Sequence, residues 1–406
     1  MNTDHAAGKR FVRDRLTWEA YILLGYYGYL LNILGPITPF LKAKLNITYT
    51  QASFHFSAFA VGMIVAGLCG DLAVKRLGRK RALWTGAVGM AGGVALLAFG
   101  ERPSVTIGAA LHMGMLGSLL LVLVPAILAD RHGQHNTIAV SEANVVASFV
   151  SAMAPMLVGF SARSFNEWRI PLFLSMAALA LIGWLFRSQQ IPDKTIHANT
   201  NASAQRRLPS SYWMFWLVLV LVVSVEFCMI FWGADYLERE AGLARATAAS
   251  VLSVFLWAMM LSRWVGSRLV RFFSTTRLVI GALVLSSMSF VLYWGFSSPI
   301  IVIAGLFFSG LGIANLYPLI LSHALGEAPE NTNLASARAA LASGAAILVL
   351  PLLLGSLADR VGLRPAYGVV AALLLLSFGM FWVATRASTA RRANMRVPGS
   401  TQRLSS

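Results

Sequence analysis

The chain has 406 residues, of which 57% are apolar and only 12% are charged, with a mean hydropathy of +0.68. Soluble globular domains are about half apolar and about one quarter charged, so this composition excludes a water-soluble fold. The 33 basic residues outnumber the 16 acidic ones, an excess that would suit nucleic-acid binding but that the placement of these residues explains otherwise.

Apolar runs of about 20 residues recur along the whole chain, and each is long enough to cross a bilayer as a helix. Charged residues, Pro, Gly and Asn separate these runs. The pattern predicts an all-α integral membrane protein with twelve transmembrane helices, at residues 17–41, 51–74, 82–100, 104–129, 138–162, 170–186, 211–234, 246–267, 278–296, 299–323, 334–357 and 366–385.

The longest internal polar stretch divides the twelve helices into two sets of six. Residues 1–186 are predicted to form an N-terminal six-helix bundle, and residues 211–386 a C-terminal one. Residues 187–210 between them read as a flexible cytoplasmic linker, and 387–406 as a basic cytoplasmic tail.

The distribution of Lys and Arg predicts the orientation in the membrane. If the N-terminus is cytoplasmic, the cytoplasmic segments contain 22 of these residues and the outer loops contain 9, which is the bias that membrane proteins show. We therefore expect both termini in the cytoplasm, and we attribute the positive charge to orientation and to anionic lipid rather than to nucleic acid. Short loops and the lack of a cleavable leader favour a bacterial inner membrane.

The two halves of the chain resemble each other. A shift of 196 positions aligns residues 39–85 with 235–281 without a gap and superposes Gly70 on Gly266. Two parallel six-helix repeats predict a central cavity between the halves, in which a solute binds near the midplane of the membrane. Alternating access then follows from rocking one half against the other.

The loop between helices 2 and 3 resembles the signature loop of the major facilitator superfamily. Its second half, Leu-Gly-Arg-Lys around Gly78, matches well, whereas Lys75 stands at the usual acidic position and Asp71 at the usual glycine. The resemblance implies a transporter fold whose helices 1, 4, 7 and 10 line the cavity. The residues that carry it are Gly70, Asp71, Lys75, Gly78, Arg79 and Lys80.

Glu226 is the most distinctive ionisable residue within a predicted span. It lies near the centre of helix 7, with no basic residue within ten positions on either side. Because hydrocarbon disfavours the charged form of a carboxyl group, we expect Glu226 to bind a coupling proton or to contact the solute. The alternative is a protonated carboxyl that bonds to a neighbouring helix and locks the packing.

Four further charged residues lie near the cytoplasmic ends of helices 5, 8, 2 and 11: Glu142, Arg263, Asp71 and Arg338. The resemblance implies that helix 5 packs against helix 8 and helix 2 against helix 11. It therefore implies two ion pairs, Glu142–Arg263 and Asp71–Arg338, that would close the cytoplasmic side. The alternative is that each charge extends separately to the lipid headgroups.

The expected cavity helices and their outer ends also carry polar and aromatic side chains. An apolar pocket with a few such groups suits a small organic ligand, although ordinary interhelical hydrogen bonds are the alternative for each. His112 has no second ligand at helical spacing, so no metal site is predicted. We also expect no cationic residue deep in the cavity, which disfavours dianionic substrates. The candidates are Tyr29, Asn32, His112, Trp232, Asn315 and Tyr317.

Together these features predict a secondary active transporter of a small organic solute, coupled to protons and functioning as a monomer without a cofactor. The sequence contains neither a G-x-x-x-x-G-K-[ST] motif for ATP nor a nucleophile motif, so ATP drive within the chain and an enzyme are not expected. Compact loops and the region of Pro155 resemble exporters and favour antiport. Uptake symport and passive uniport are alternatives, and a transport-fold sensor without flux is the alternative from another class.

Overall fold

The structure, a computed structural model, describes residues 11–191 and 208–396. Residues 192–207 of the predicted linker and 397–406 of the predicted tail lie outside the described residues. Within the described ranges the regular structure is helical. The α-helices are α1 (Arg15–Asn32), α2 (Leu34–Leu45), α3 (Tyr49–Leu77), α4 (Arg79–Phe99), α5 (Pro103–His132), α6 (Asn136–Phe165), α7 (Ile170–Phe186), α8 (Ser210–Arg239), α9 (Arg245–Leu269), α10 (Thr275–Gly295), α11 (Pro299–Ile313), α12 (Leu316–Gly326), α13 (Thr332–Val361), α14 (Leu363–Ala366) and α15 (Gly368–Arg396).

These helices confirm the predicted all-α membrane fold. In the described part of the chain, ten stretches are long and apolar enough to cross a bilayer, and one of them, Pro103–Phe165, contains both α5 and α6. The shorter apolar helix α7 completes the set of twelve. Two of the predicted helices are broken near their middle, the first into α1 and α2 and the tenth into α11 and α12.

Proline explains both breaks. Pro36 has no N–H to donate to the carbonyl of Asn32, and Pro318 has none to donate to the carbonyl of Ala314, so the hydrogen-bond ladder of each helix is interrupted at that point. In the tenth helix the side-chain amide of Asn315 secures the bend. It donates to the carbonyl and hydroxyl oxygens of Ser262 in α9, at 2.8 and 2.9 Å.

The two halves pack through helix pairs in which glycine allows the backbones to approach closely. The packing of α6 on α9 and of α3 on α13 joins the halves. A Cβ atom at Gly159 of α6 would overlap Ser250 of α9, and one at Gly35 of α2 would overlap the carbonyl of Ile230 in α8. Small residues at such contacts are characteristic of helix packing in membranes.

We call the end of the molecule that carries Arg15 and Arg396 the proximal end, and the opposite end the distal end. Gly78 joins α3 to α4 at the proximal end with a φ of +78°, which glycine adopts without steric cost. The next residue, Arg79, is buried and forms an ion pair with Asp130 of α5. The side chain of Asp71 lies outside the described residues.

Asp14 caps α1 and ties it to α5. Its carboxylate accepts hydrogen bonds from the amide of Thr17 at 3.0 Å and from Nε of Arg131 at 2.7 Å. Partial burial raises the pKa of Asp14, but the hydrogen bonds from Thr17 and Arg131 together outweigh burial and hold the pKa below its usual value. The carboxylate is therefore favoured by folding.

Replacement of Asp14 by alanine is expected to lower the free energy of unfolding by about 1 kcal/mol, since a helix loses its N-cap. A lowered pKa means that this stabilisation is complete above the usual pKa of the carboxyl and is lost only as the pH falls below it. The difference between Asp14→Ala and the wild type should therefore stay constant from about pH 8 to about pH 5.

Thermal unfolding in detergent measures this difference. Asp14→Asn is the control, because asparagine retains the cap and loses only the charge. A difference that vanished already near pH 6 would contradict the assignment.

Candidate functional site

A cavity of about 210 Å³ lies between the two halves. One wall consists of residues of α1, α5 and α6, and the other of residues of α8 and α9. Most of the lining is apolar. Its polar members are Tyr27, Asn32, Asn144, Ser148, Ser151, Glu226 and Arg263.

Two opposite charges face each other in this cavity. Nη2 of Arg263 lies 3.9 Å from Oε1 of Glu226, and the two side chains are 45% and 17% exposed, respectively. This distance is too long for a hydrogen bond but short enough for a strong electrostatic interaction in apolar surroundings. Nη1 of Arg263 donates a hydrogen bond of 3.0 Å to Oγ of Ser148, so Arg263 links both halves at the cavity.

This arrangement corrects two expectations about Arg263. The cavity contains a cationic group, whereas the sequence predicted none. Glu142 does not pair with Arg263 in the structure. Its carboxylate instead binds Nε and Nη2 of Arg13 at 2.7 and 2.6 Å and accepts a bond of 3.1 Å from the hydroxyl of Tyr21, all within the first half.

The second predicted gate pair stays a prediction. Arg338 lies on α13 with its side chain exposed, and its carbonyl accepts a hydrogen bond of 2.7 Å from Nε1 of Trp216. Asp71, its predicted partner, has a side chain outside the described residues. Of the other two charges, Glu142 pairs with Arg13 and Arg263 faces Glu226.

The first helix presents a different tyrosine to the cavity from the one predicted. The hydroxyl of Tyr29 donates to the carbonyl of Pro171 in α7 at 3.2 Å and so points away from the cavity, whereas Tyr27 lines it. Asn32 also lines the cavity. Its amide donates to the carbonyl of Gly28 at 2.9 Å, while its buried Oδ1 has no hydrogen-bond partner among the described residues.

Three other candidates lie outside this cavity. His112 of α5 faces Gly92 of α4. Asn315 holds the bend of the tenth helix and borders a separate apolar pocket of about 670 Å³ between α9, α10 and α12. Tyr317 does not line the cavity, but its hydroxyl lies near Ser343 and within electrostatic range of Glu226.

A buried ion pair joins the halves at the distal end. Nζ of Lys42 in α2 donates to Oδ2 of Asp235 in α8 at 2.9 Å, and the side chains are only 7% and 1% exposed. The ammonium group also lies 3.1 Å from the ring centroid of Tyr49, a cation–π contact. We call Lys42, Tyr49, Asp235 and Asp359 the distal latch.

Asp359 completes the distal latch from the end of α13. Its carboxylate accepts hydrogen bonds from the backbone amides of Tyr49 and Thr50, both at 2.8 Å. These amides belong to the first turn of α3, where they have no partner within the helix and the helix dipole favours a negative charge. Asp359 of the second half therefore caps a helix of the first half.

Aromatic side chains also pack between the two halves near the distal latch. The rings of Phe56 and Phe231, from opposite halves, stack with centroids 4.1 Å apart. Trp232 is fully buried here, and its Nε1 donates to the carbonyl of Pro351 at 3.1 Å. Trp232 thus closes the distal end and is not part of the cavity lining.

The sequence profile of the Major Facilitator Superfamily matches residues 20–243 and again residues 214–403. With the twelve-helix fold and the cavity between two halves, this match shows that the chain belongs to the Major Facilitator Superfamily. Members of this family are transporters and not enzymes, and the twelve helices make this chain a multi-pass membrane protein.

Two curated relatives match part of the chain. An uncharacterised transporter of this superfamily from Yersinia pestis is 29% identical over 168 residues, and a hexuronate transporter from Bacillus subtilis is 23% identical over 266 residues. The matches cover 41% and 61% of this chain. They span 44% and 62% of the lengths of the two relatives.

Solved transporter structures share the fold over most of the chain. A mutant of the nucleoside transporter NupG superposes with a TM-score of 0.76 at 14% identity, covering 91% of this chain and 99% of NupG. A D-xylose–proton symporter superposes with a TM-score of 0.74 at 16% identity, covering 90% and 96%. At these identities the likeness shows the fold alone.

Sequence reasoning missed Lys42 and Glu19. Lys42 directly follows the first predicted span, 17–41, and so falls in the predicted outer loop. The structure places it inside α2, where a buried ionisable group requires a partner. Glu19 of α1 is 1% exposed and lies close to Trp84 of α4. Its position within the first predicted span was the signal that could have found it.

The distal latch predicts how the distal end opens. Replacing Asp235 by asparagine leaves the buried ammonium of Lys42 without its counter-charge, and loss of one partner of such a pair typically costs about 3–5 kcal/mol. The closed distal end should therefore lose stability relative to an open one. Maleimide labelling of a cysteine introduced at buried Ser57, in a Cys69→Ser, Cys228→Ala background, should accelerate at least about tenfold.

The exchanged pair, Lys42→Asp with Asp235→Lys, should restore slow labelling when Arg239, whose Nε lies 3.7 Å from Oδ2 of Asp235, is also replaced by glutamine. Glu238→Gln is the matched control, because Glu238 pairs with Arg245 within the second half, at 2.9 Å. Unchanged labelling in Asp235→Asn would show that the pair does not hold the distal end closed.

Proposed function

We propose that this transporter is proton-coupled and that Glu226 is the group that carries the proton. The observation on which the proposal rests is the position of Glu226 in the cavity between the halves, beside Arg263. A carboxylate in such surroundings requires either a cation or a proton to neutralise it. Whether Arg263 is available as a counter-charge therefore determines whether Glu226 remains charged.

Protonation of this pair is suited to driving alternating access. A charged Glu226 attracts Arg263 of α9, whose Nη1 also binds Ser148 of α6 in the other half. Neutralising Glu226 weakens the attraction and so changes the relative stability of the arrangements of the two halves. A ligand shifts such an equilibrium only through its different affinity for the two states, and the proton meets this condition at Glu226.

The proposed orientation follows the charge bias, with both termini in the cytoplasm of a bacterial cell and the chain in the inner membrane. In this proposed orientation the distal latch closes the cavity to the outside, as in an inward-facing state. We further propose that residues 1–186 and 211–386 move as the two units and that one chain suffices for transport, since the cavity lies within a single chain.

The relatives support a small organic solute. One is named as a hexuronate transporter, and the similar structures include a D-xylose–proton symporter and a nucleoside transporter. D-Glucuronate, D-xylose and uridine represent these classes as probes. A cavity of about 210 Å³ is smaller than the pockets that hold drug-sized ligands, in keeping with solutes of this size.

The test uses proteoliposomes that contain a pH-sensitive dye, to which the three probes are added. In the wild type, one probe should cause proton movement. Glu226→Gln should reduce the rate at least about tenfold, because the amide carries no titratable proton. Glu101→Gln, the same change at an exposed residue outside the cavity, should leave it unchanged.

Two outcomes would contradict the proposal. Proton movement at the wild-type rate in Glu226→Gln would remove Glu226 from the coupling mechanism. Solute flux in the wild type without proton movement would identify a passive uniporter.

A further inference from the structure

We infer that the solute is a small hydroxylated organic monoanion, that Arg263 binds its carboxylate, and that solute and proton cross the membrane together. This inference rests on the proposed function and specifies the substrate class of the same cavity. It gives symport, whereas the loops and the region of Pro155 favoured export by antiport.

Arg263 has more hydrogen-bond donors than acceptors around it among the described residues. A guanidinium group carries five N–H donors in one plane. Among the described residues, only one hydrogen bond engages them, the bond from Nη1 to Ser148, since Glu226 lies too far away at 3.9 Å. The side chain is 45% exposed where it lines the cavity. Free N–H groups in this geometry bind a carboxylate through two parallel bonds.

The pair of Glu226 and Arg263 selects the charge of the solute. A cation would have to bind Glu226, whose Oε1 already lies 3.9 Å from Nη2 of Arg263, and the guanidinium group would repel it. A neutral solute can offer hydroxyl acceptors to Arg263, but these hydrogen bonds are weaker than those that a carboxylate accepts. An anion satisfies Arg263 and has no other fixed negative charge to avoid in the lining apart from Glu226. The pair thus favours an anion whenever Glu226 is neutral.

Glu226 couples binding of the anion to uptake of a proton. Once a carboxylate occupies Arg263, Glu226 loses its counter-charge; its remaining titratable neighbours are the phenols of Tyr27 in the lining and Tyr317 nearby. Uptake of one proton by Glu226 then returns the net charge of the cavity to the value that it had before the solute bound. A monoanion and one proton leave the cavity neutral, whereas a dianion leaves a net negative charge in apolar surroundings. Binding and protonation therefore favour each other, which is symport.

Other polar residues of the lining can bind hydroxyl groups of the solute. The buried Oδ1 of Asn32 lacks a hydrogen-bond partner among the described residues, and leaving such an acceptor unsatisfied is costly. A hydroxyl group of a solute would satisfy it. Asn144 and Ser151 add further polar groups to the lining. A carboxylate that carries several hydroxyls, as in a sugar acid, matches both ends of the cavity.

The test is isothermal titration calorimetry of the purified protein in two buffers of different ionisation enthalpy, which counts protons per bound solute. Four probes of equal carbon skeleton differ in charge: D-glucuronate, D-glucose, D-glucosamine and D-glucarate. We expect D-glucuronate to bind at least tenfold more tightly than the other three. Binding should take up about one proton in the alkaline range, where affinity falls about tenfold per pH unit by linkage.

Variants separate the two roles. Arg263→Gln should reduce the affinity for D-glucuronate at least tenfold, and Arg263→Lys, which keeps the charge but not the paired donors, should give an intermediate loss. Glu226→Gln should still bind D-glucuronate, without proton uptake and without pH dependence. Arg268→Gln, at an exposed arginine of the same helix, is the control and should match the wild type.

The outcomes distinguish the two proposals. Tighter binding of D-glucose, D-glucosamine or D-glucarate, or no binding of D-glucuronate at 10 mM in the assay (about −2.7 kcal/mol or weaker), would overturn the substrate class. Proton uptake that depends on Glu226 with any probe would still support the coupling role. Binding of D-glucuronate without proton uptake in the wild type would instead keep the anion site and overturn the coupling.

Discussion

A carboxylate surrounded by apolar groups must be neutralised, and the arrangement of this protein depends on how that requirement is met. At the distal end Asp235 is neutralised by Lys42, and the pair is buried because both partners come from opposite halves that meet there. At the cavity Glu226 faces Arg263 at a longer distance, with the cation partly exposed. The first arrangement is a closed contact, and the second leaves room for a ligand. Both pairs neutralise a carboxylate in apolar surroundings, and their difference in burial separates a structural ion pair from a candidate binding site.

The contacts that close the space between the halves lie at the distal end of the molecule. The distal latch, the stacked pair of Phe56 and Phe231, and buried Trp232 join or seal the halves at one end. At the proximal end, the ion pairs Arg13–Glu142 and Arg79–Asp130 connect helices within the first half. These pairs stiffen one half as a unit without tying it to the other. The halves are also joined along α6 and α9, where Nη1 of Arg263 donates to Oγ of Ser148 at 3.0 Å, so the distal contacts are one part of a longer interface.

The fold could be predicted from the sequence because hydrocarbon imposes length and composition on every span, and these features are local. The site was predicted only in part. Glu226 was recognisable as an isolated carboxylate in an apolar run, but Arg263 was placed at the end of its helix. It lies six residues from the end of α9, about 9 Å along the axis, and this depth brings its long side chain to Glu226. Tyr27 and Tyr29 show a second limit, since neighbouring positions differ by a large rotation about the helix axis and the sequence does not fix that rotation.

Contacts made by segments outside the spans were also beyond sequence reasoning. Arg13 counted as an orientation charge, yet it supplies the partner of Glu142, 129 positions along the chain. The hydrophobic periodicity of either segment does not predict the contact between Arg13 and Glu142.

The cap that Asp359 provides for α3 has a consequence for the medium around the protein. While the distal end is closed, the amides of Tyr49 and Thr50 are satisfied by a carboxylate of the other half. When the halves part there, these amides and the carboxylate must find water instead. Opening of the distal end therefore includes the binding of water to these amides and to the carboxylate of Asp359. Its equilibrium depends on the activity of water, so excluded osmolytes favour the closed distal end and dilute solution favours the open one.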